Sequence, residues 1–288
     1  MARSPVPLTG RVIAITGAAR GIGRATAEAC HEAGMKVAIG DLDIETARRT
    51  AAELGGETLA VELDVTHRAS FGHFLDATEA QLGPLDVLVN NAGIMQLGPF
   101  DDEVDATARR QVDINVHGVL HGMKEALPRM QARNRGQIVN IASVAGRLGF
   151  AGGATYSGTK HFVVGVSEAV RRELRGTGVE ITCVLPVIVR TELGSGLAPG
   201  RFIRHIEPED VAAAIVAALR APRFEVYVPR TVTPLVKLGA ALPQTVREAV
   251  CRVLRIDRSL LDSDPAVRAA YELRATQSSR ELDPGTKR

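Results

Sequence analysis

Tyr156 and Lys160 stand four residues apart in Tyr156-Ser-Gly-Thr-Lys160. On a helix that spacing puts both side chains on one face. A free phenol ionises at about pH 10, too high for a base at neutral pH; a neighbouring ammonium favours phenolate and lowers that value. The pair therefore suits proton transfer at a substrate oxygen. Ser143, just after the apolar run Gln137–Ile141, can hold and polarise the same oxygen through a hydrogen bond. Asn115, in Asp113-Ile-Asn-Val-His-Gly118, is the fourth polar candidate. Each has a quieter use as well: a surface pair on a helix, a turn cap, a buried amide bonding the backbone of a bent helix.

A proton donor at an oxygen needs a redox or electrophilic partner, and the chain offers a place for one near its start. The apolar run Arg11–Ile15 leads into Thr16-Gly-Ala-Ala-Arg-Gly-Ile-Gly23, which opens an alanine-rich stretch. Strand, glycine turn and helix in that order are what a dinucleotide site requires. Gly17, Gly21 and Gly23 allow a sharp turn and close approach to a pyrophosphate, with the helix N-terminus, including Ile22, offering N–H groups. Asp41 ends the second strand pattern, and a carboxylate there accepts from ribose hydroxyls and repels a 2′-phosphate, favouring NAD over NADP. Leu42 follows it. Arg20, inside the turn, pulls the other way, since a guanidinium pairs with phosphate. Asp64 and Val65, after the third strand pattern, fall near the expected adenine edge, and Asn91, Ala92 and Gly93 follow the fourth.

Short Val/Ile/Leu runs at 12–16, 36–40, 58–63, 86–90, 137–141, 180–185 and 225–228 alternate with helical patterns at 22–33, 44–54, 68–82, 103–131, 155–176 and 208–220. This alternation predicts an α/β, Rossmann-type, doubly wound parallel sheet of about seven strands. Residues 186–207 form the one long irregular segment, a lid candidate carrying Leu193, Leu197, Phe202 and Ile203.

Taken together, the glycine turn, acidic strand end, Asn90-Asn-Ala-Gly93, Asn115, Ser143 and Tyr156…Lys160 resemble the classical short-chain dehydrogenase/reductase family over about residues 9–228. The resemblance implies an NAD(H)-dependent oxidoreductase that interconverts an alcohol with its aldehyde or ketone. It implies a tetrad in which Tyr156 moves the proton, Ser143 binds the substrate oxygen, Lys160 also holds the nicotinamide ribose and Asn115 positions a relay water. Pro186, Val189 and Thr191 would seat the carboxamide. It further implies a homodimer or homotetramer built through the helices at 103–131 and 155–176. Val187 departs from the family, which has glycine after the proline; a β-branched residue there disfavours positive φ. Leu148 and Phe150, with the lid, suit an apolar substrate of steroid, retinoid or lipid-alcohol type. An NADPH-dependent carbonyl reductase and a non-catalytic dinucleotide-sensing scaffold are the competing readings. His117, His121 and His161 lack a second ligand and are taken as non-catalytic.

With 288 residues, a formal net charge of +2 and few aromatics, the chain has no character of a nucleic-acid binder. Cys30, Cys183 and Cys251 lack metal-ligand spacing and are expected to be reduced thiols, with no metal site. Without a signal-peptide pattern or an apolar run of about 18 residues, a cytoplasmic location is expected. The expected organisation is a short arm (1–8), the dinucleotide-binding domain (9–228), a helical extension (229–274) and a mobile tail (275–288). Within the extension, 244–261 has an apolar face at Val246, Val250, Val253 and Leu254 and a basic opposite face. That suits a packed helix; an anionic membrane surface is the alternative, peripheral contact not being favoured.

Overall fold

The computed structural model describes residues 5–197, 205–246, 248 and 263–277. Seven strands form one parallel sheet: β1 (Val12–Thr16), β2 (Lys36–Asp41), β3 (Thr58–Glu62), β4 (Leu85–Asn90), β5 (Gly136–Ile141), β6 (Val179–Pro186) and β7 (Glu225–Val228), in the order β3-β2-β1-β4-β5-β6-β7. The helices between them are α1 (Gly21–Glu32), α2 (Ile44–Leu54), α3 (Arg68–Leu82), α4 (Asp105–Val112), α5 (Gly118–Ala132), α6 (Ala154–Glu173) and α7 (Pro208–Arg220). α8 (Thr233–Ala241) and α9 (Pro265–Gln277) follow the sheet.

Every residue of β1, β4 and β5 is buried, because helices cover both faces of the sheet. Alternation along each strand divides the interior in two. Ile13 and Ile15 join α1 and α7 through Ala27, Ile215 and Leu219; Ala14 faces α3 and α5 through Phe71, Phe74 and Met123. The sheet order reverses between β1 and β4, and a crevice opens there beyond the strand ends, where ligands of such sheets bind.

The long pattern at 103–131 is two helices joined by a π-helical turn, Asp113–His117. The extra residue in that turn re-aims Asn115, and such bulges gather at functional sites. The basic-helix expectation at 244–261 falls almost entirely outside the described residues, as do Phe202, Ile203 and Cys251. Past them the chain is helical again: α9 runs beyond 275, where the tail was expected to begin, to Gln277, and buries Arg268, Tyr271 and Ala275. No helix among the described residues is long and apolar enough to cross a membrane.

Candidate active site

At the end of β1 the chain makes a turn that only glycine permits. Gly17 has φ 62°, and a Cβ on it would stand 2.8 Å from Ala92 Cα. A Cβ on Gly23 would collide with the Gly17 carbonyl, so Gly23 lets α1 sit close to the turn. Asn91 locks the arrangement: its N–H and that of Ala92 donate to Thr16 Oγ1 at 3.0 Å, and its Nδ2 donates to the carbonyls of Thr16 and Gly17 at 2.9 Å. Asn90 Nδ2 donates to Asn140 Oδ1 at 2.8 Å and ties β4 to β5. Arg20 starts α1 without a side-chain cap, leaving the first-turn N–H groups to any anion in the crevice.

At the end of β2, Asp41 Oδ2 accepts from the Ala19 N–H at 2.9 Å and Oδ1 from the Asp43 N–H at 3.0 Å. Burial raises its pKa, and those bonds together with Arg20 oppose the rise. Arg20 itself is engaged: its Nη2 donates to Asp43 Oδ2 at 2.5 Å and Thr46 Oγ1 at 3.2 Å. Asp43 also caps α2, accepting the Thr46 N–H at 3.1 Å. Asp64 turns toward the start of α3, accepting from the N–H and hydroxyl of Thr66.

The chemical groups meet at the opposite end of the same crevice. Tyr156 and Lys160 project from one face of α6 and are buried. The Lys160 ammonium donates to the Ile141 carbonyl at 2.9 Å and lies 5.6 Å from the Tyr156 ring centroid. Ser143 caps a short turn after β5, accepting the Ala145 N–H at 3.1 Å, and its hydroxyl stands beside the Tyr156 phenol, whose ionisation it eases. The turn-cap role and contact with the phenol thus coexist. Burial pushes Tyr156 up to about 12, against the easing effect of Ser143, and pulls Lys160 down to about 8. In the chain by itself burial dominates; the lowering of the phenol's pKa expected from the ammonium acting together with an oxidised nicotinamide belongs to the cofactor-bound state.

Asn115 is fully buried, and its amide is spent on the backbone. Oδ1 accepts the Ile94 N–H and Nδ2 donates to the Ile94 carbonyl, both at 2.9 Å, with a further bond to Thr159 Oγ1 at 3.1 Å. It therefore fastens the segment after β4 to α6, a structural use compatible with a positioning role in the site. His121 and His161 pair with backbone carbonyls of Val65 and Ser157, and no cluster of metal-ligating groups occurs among the described residues.

A single cavity of about 680 Å³ joins the two ends. It is lined by the expected cofactor residues other than Gly23, and by Ser143, Tyr156 and Lys160; Gly23 and Asn115 lie behind its wall. Around Tyr156 it is apolar, with Met95, Phe150, Ile188, Leu193 and Leu197 clustered on the ring. Val187 needs no left-handed backbone, since Asn134 is the sole non-glycine residue with positive φ among those described. Its N–H donates to the Val228 carbonyl at 3.0 Å, extending the β6–β7 pairing, and Val189 bridges to Ile206.

Two contributors escaped the sequence reading. Asp43 was legible only as the cap of the helix at 44–54; that it also occupies Arg20 is a tertiary fact. The other is α9, whose Tyr271, Arg274 and Ala275 line the cavity. Its signal was Asp264-Pro265, an N-cap followed by proline at the first helical position. Asp264 Oδ1 indeed accepts the Ala266 N–H at 2.9 Å.

The model of the family described as short chain dehydrogenase matches residues 11–201. A sorbitol dehydrogenase of Cereibacter sphaeroides is 39% identical over 191 residues, 66% of this chain and 75% of that protein. A glycine betaine reductase of Emericella nidulans is 35% identical over 234 residues, 76% of this chain; the match spans only 18% of that much longer protein. Among solved structures, a short-chain dehydrogenase/reductase from Burkholderia phymatum in complex with NAD superposes with a TM-score of 0.76 at 28% identity, covering 82% of this chain and 95% of that one.

Proposed function

The chain belongs to the short-chain dehydrogenase/reductase family, and we propose that within it the protein is an NAD(H)-dependent oxidoreductase interconverting an apolar alcohol and its carbonyl. The observation that carries this reading is the single cavity. At one end stand the uncapped start of α1 and Asp41; at the other Tyr156, Ser143 and Lys160 converge inside an apolar wall. A NAD molecule would be held by the turn at Gly17–Ile22, by Asp41 at the adenosine ribose, and by Lys160, Pro186, Val189 and Thr191 toward the nicotinamide. When bound, its nicotinamide supplies or accepts the hydride.

The chain's own residues do the rest. Ser143 donates a hydrogen bond to the substrate oxygen and polarises it. Tyr156 delivers the phenolic proton to that oxygen in reduction and receives it in oxidation. Burial raises the phenol's pKa, so its use as a base in oxidation would call for added positive charge near the ring. Lys160 supplies part of that charge and, on the family resemblance, grips the ribose. Asn115 keeps Ile94 and α6 in register beneath the reacting groups. Dimerisation or tetramerisation through the α4–α5 and α6 faces remains part of the proposal by family analogy.

The test is a panel of apolar alcohols and carbonyls followed at the NADH absorbance, with NADH affinity measured separately. Turnover by the wild type with retained NADH binding but lost turnover in Tyr156→Phe is expected. Equal turnover in the two would refute the assignment.

A further inference from the structure

α9 lies beyond residue 201, where the family match ends, yet it closes the cavity that holds Tyr156. A buried cation makes the central tie that holds it there. Arg268 is 2% exposed. Its guanidinium donates to the Met95 carbonyl at 2.8 Å, to the Leu193 and Ser195 carbonyls at 3.1 and 3.0 Å, and to Glu272 Oε1 at 3.0 Å. Three bonds from one planar group therefore join α9 to the segment after β4 and to the lid after β6, the two segments that flank the reacting groups, while Glu272 on α9 itself fixes the guanidinium. Arg274 adds an outer tie, pairing with Glu192 at 2.9 Å.

This clamp sets Tyr271 against the cavity. Tyr271 is 8% exposed, and its hydroxyl oxygen accepts the Met95 N–H at 2.8 Å. A phenol is a donor as well as an acceptor, and among the described residues its O–H has no acceptor. A buried donor without a partner is costly, and in a ligand cavity such a donor is satisfied by the ligand. The charges around it point to an uncharged partner. Of the cations lining the cavity, Arg20 and Arg274 are paired with Asp43 and Glu192, and Lys160 is the one assigned to the cofactor's ribose.

We propose that Tyr271 is a substrate-binding residue that donates its phenolic O–H to a second, uncharged oxygen of the substrate, and that Arg268 positions it. The preferred substrate is then an apolar molecule carrying a hydroxyl, keto or ether oxygen besides the reacting one. This rests on the oxidoreductase reading above and narrows its substrate class.

The experiment compares three substrates of one chain length: a medium-chain secondary alcohol, its vicinal diol and the corresponding α-hydroxy acid, each with NAD. The wild type is expected to favour the diol by at least tenfold in kcat/KM over both others. Tyr271→Phe, which keeps the ring and its packing, should erase that preference by lowering the diol value at least tenfold. It should leave the simple alcohol and NADH affinity within threefold. Arg268→Lys cannot reach three carbonyls and a carboxylate at once. It should lower kcat/KM for all three substrates while NADH affinity holds, and its KM should rise more than its kcat falls. Equal losses for diol and simple alcohol in Tyr271→Phe, or no loss, would overturn the role of Tyr271 while leaving the oxidoreductase reading intact. A wild-type preference for the acid would overturn the uncharged-oxygen assignment. Turnover of none of the three would sink the reading on which the proposal rests, and the proposal with it.

Discussion

Asp43→Ser isolates the device that sets cofactor choice. Arg20 is the group in the crevice best suited to a 2′-phosphate, but its guanidinium is bound to Asp43 Oδ2 at 2.5 Å. Both side chains are about two-fifths exposed, 41% and 43%, so solvent screens the pair and it is worth at most about 1 kcal/mol. A charge-assisted hydrogen bond from a freed guanidinium to phosphate is worth roughly 1.5–3 kcal/mol. In the wild type the phosphate must displace Asp43 and also approach Asp41, so NAD(H) should bind at least about tenfold more tightly than NADP(H), a gap of ~1.4 kcal/mol. Serine retains an oxygen to cap α2, so the bond now accepting the Thr46 N–H at 3.1 Å survives and stability is spared. NADPH affinity should therefore rise about three- to tenfold, NADH affinity should stay within twofold, and the melting temperature should hold. Titration of both cofactors by fluorescence reads all of this. NADPH affinity unchanged in Asp43→Ser, with the fold intact, would show that Arg20 is not restrained by Asp43 and refute the reasoning. Adding Asp41→Ala should narrow the gap further by removing the second carboxylate.

Tyr156→Phe should lower turnover at least about 10²-fold, the low end for loss of a general acid–base group, with NADH affinity within a few-fold; stopped-flow single turnovers check it. Lys160→Met should abolish most turnover and yet stabilise the fold. Holding the ammonium at about 8 instead of 10.5 costs ~3 kcal/mol, against ~1 kcal/mol for the lost bond to Ile141. The sign is set by proton binding. Between about 8 and 10.5 the unfolded chain binds the lysine proton more tightly, so wild-type stability rises with pH there. The advantage of Lys160→Met in denaturant melts should accordingly be full at pH 7 and shrink by pH 10; a constant difference would contradict it. Reductive kcat/KM should fall as pH climbs past about 8, where Lys160 discharges, while Tyr156, held up to about 12, stays protonated. Truncation before Asp264 should leave NADH binding within threefold but cut turnover, since it removes a wall of the cavity's reactive end; intact turnover would place α9 elsewhere.

Where a local pattern determines the outcome, the sequence was nearly sufficient. A buried strand is mostly apolar, and β1 to β7 were readable as short apolar-rich runs to within a residue or two at each end. The turn at Gly17 was readable because positive φ and close approach exclude other residues. The order of Asn91, Ser143, Tyr156 and Lys160 pointed to the cavity they line, since proton-transfer chemistry would demand particular groups at strand ends and on one helix face.

What escaped depends on contacts between distant segments. Whether Arg20 is free is decided by Asp43, 23 positions on, through a bond no periodicity encodes. The pKa of Tyr156 is decided by how completely α6, the lid and α9 bury it. Residue type alone does not reveal how strongly burial raises it in the chain by itself. α9 shows the limit most plainly. Its composition is polar and its exposed face carries Leu273 at 61%, so as a lone helix it reads as marginal. It becomes structure because Arg268, Tyr271 and Ala275, spaced at three and four, meet Met95 and Leu193 across more than 70 positions of chain. A helix whose stability comes from its partners is legible only once those partners are in place, and here the partners are walls of the cavity that holds Tyr156.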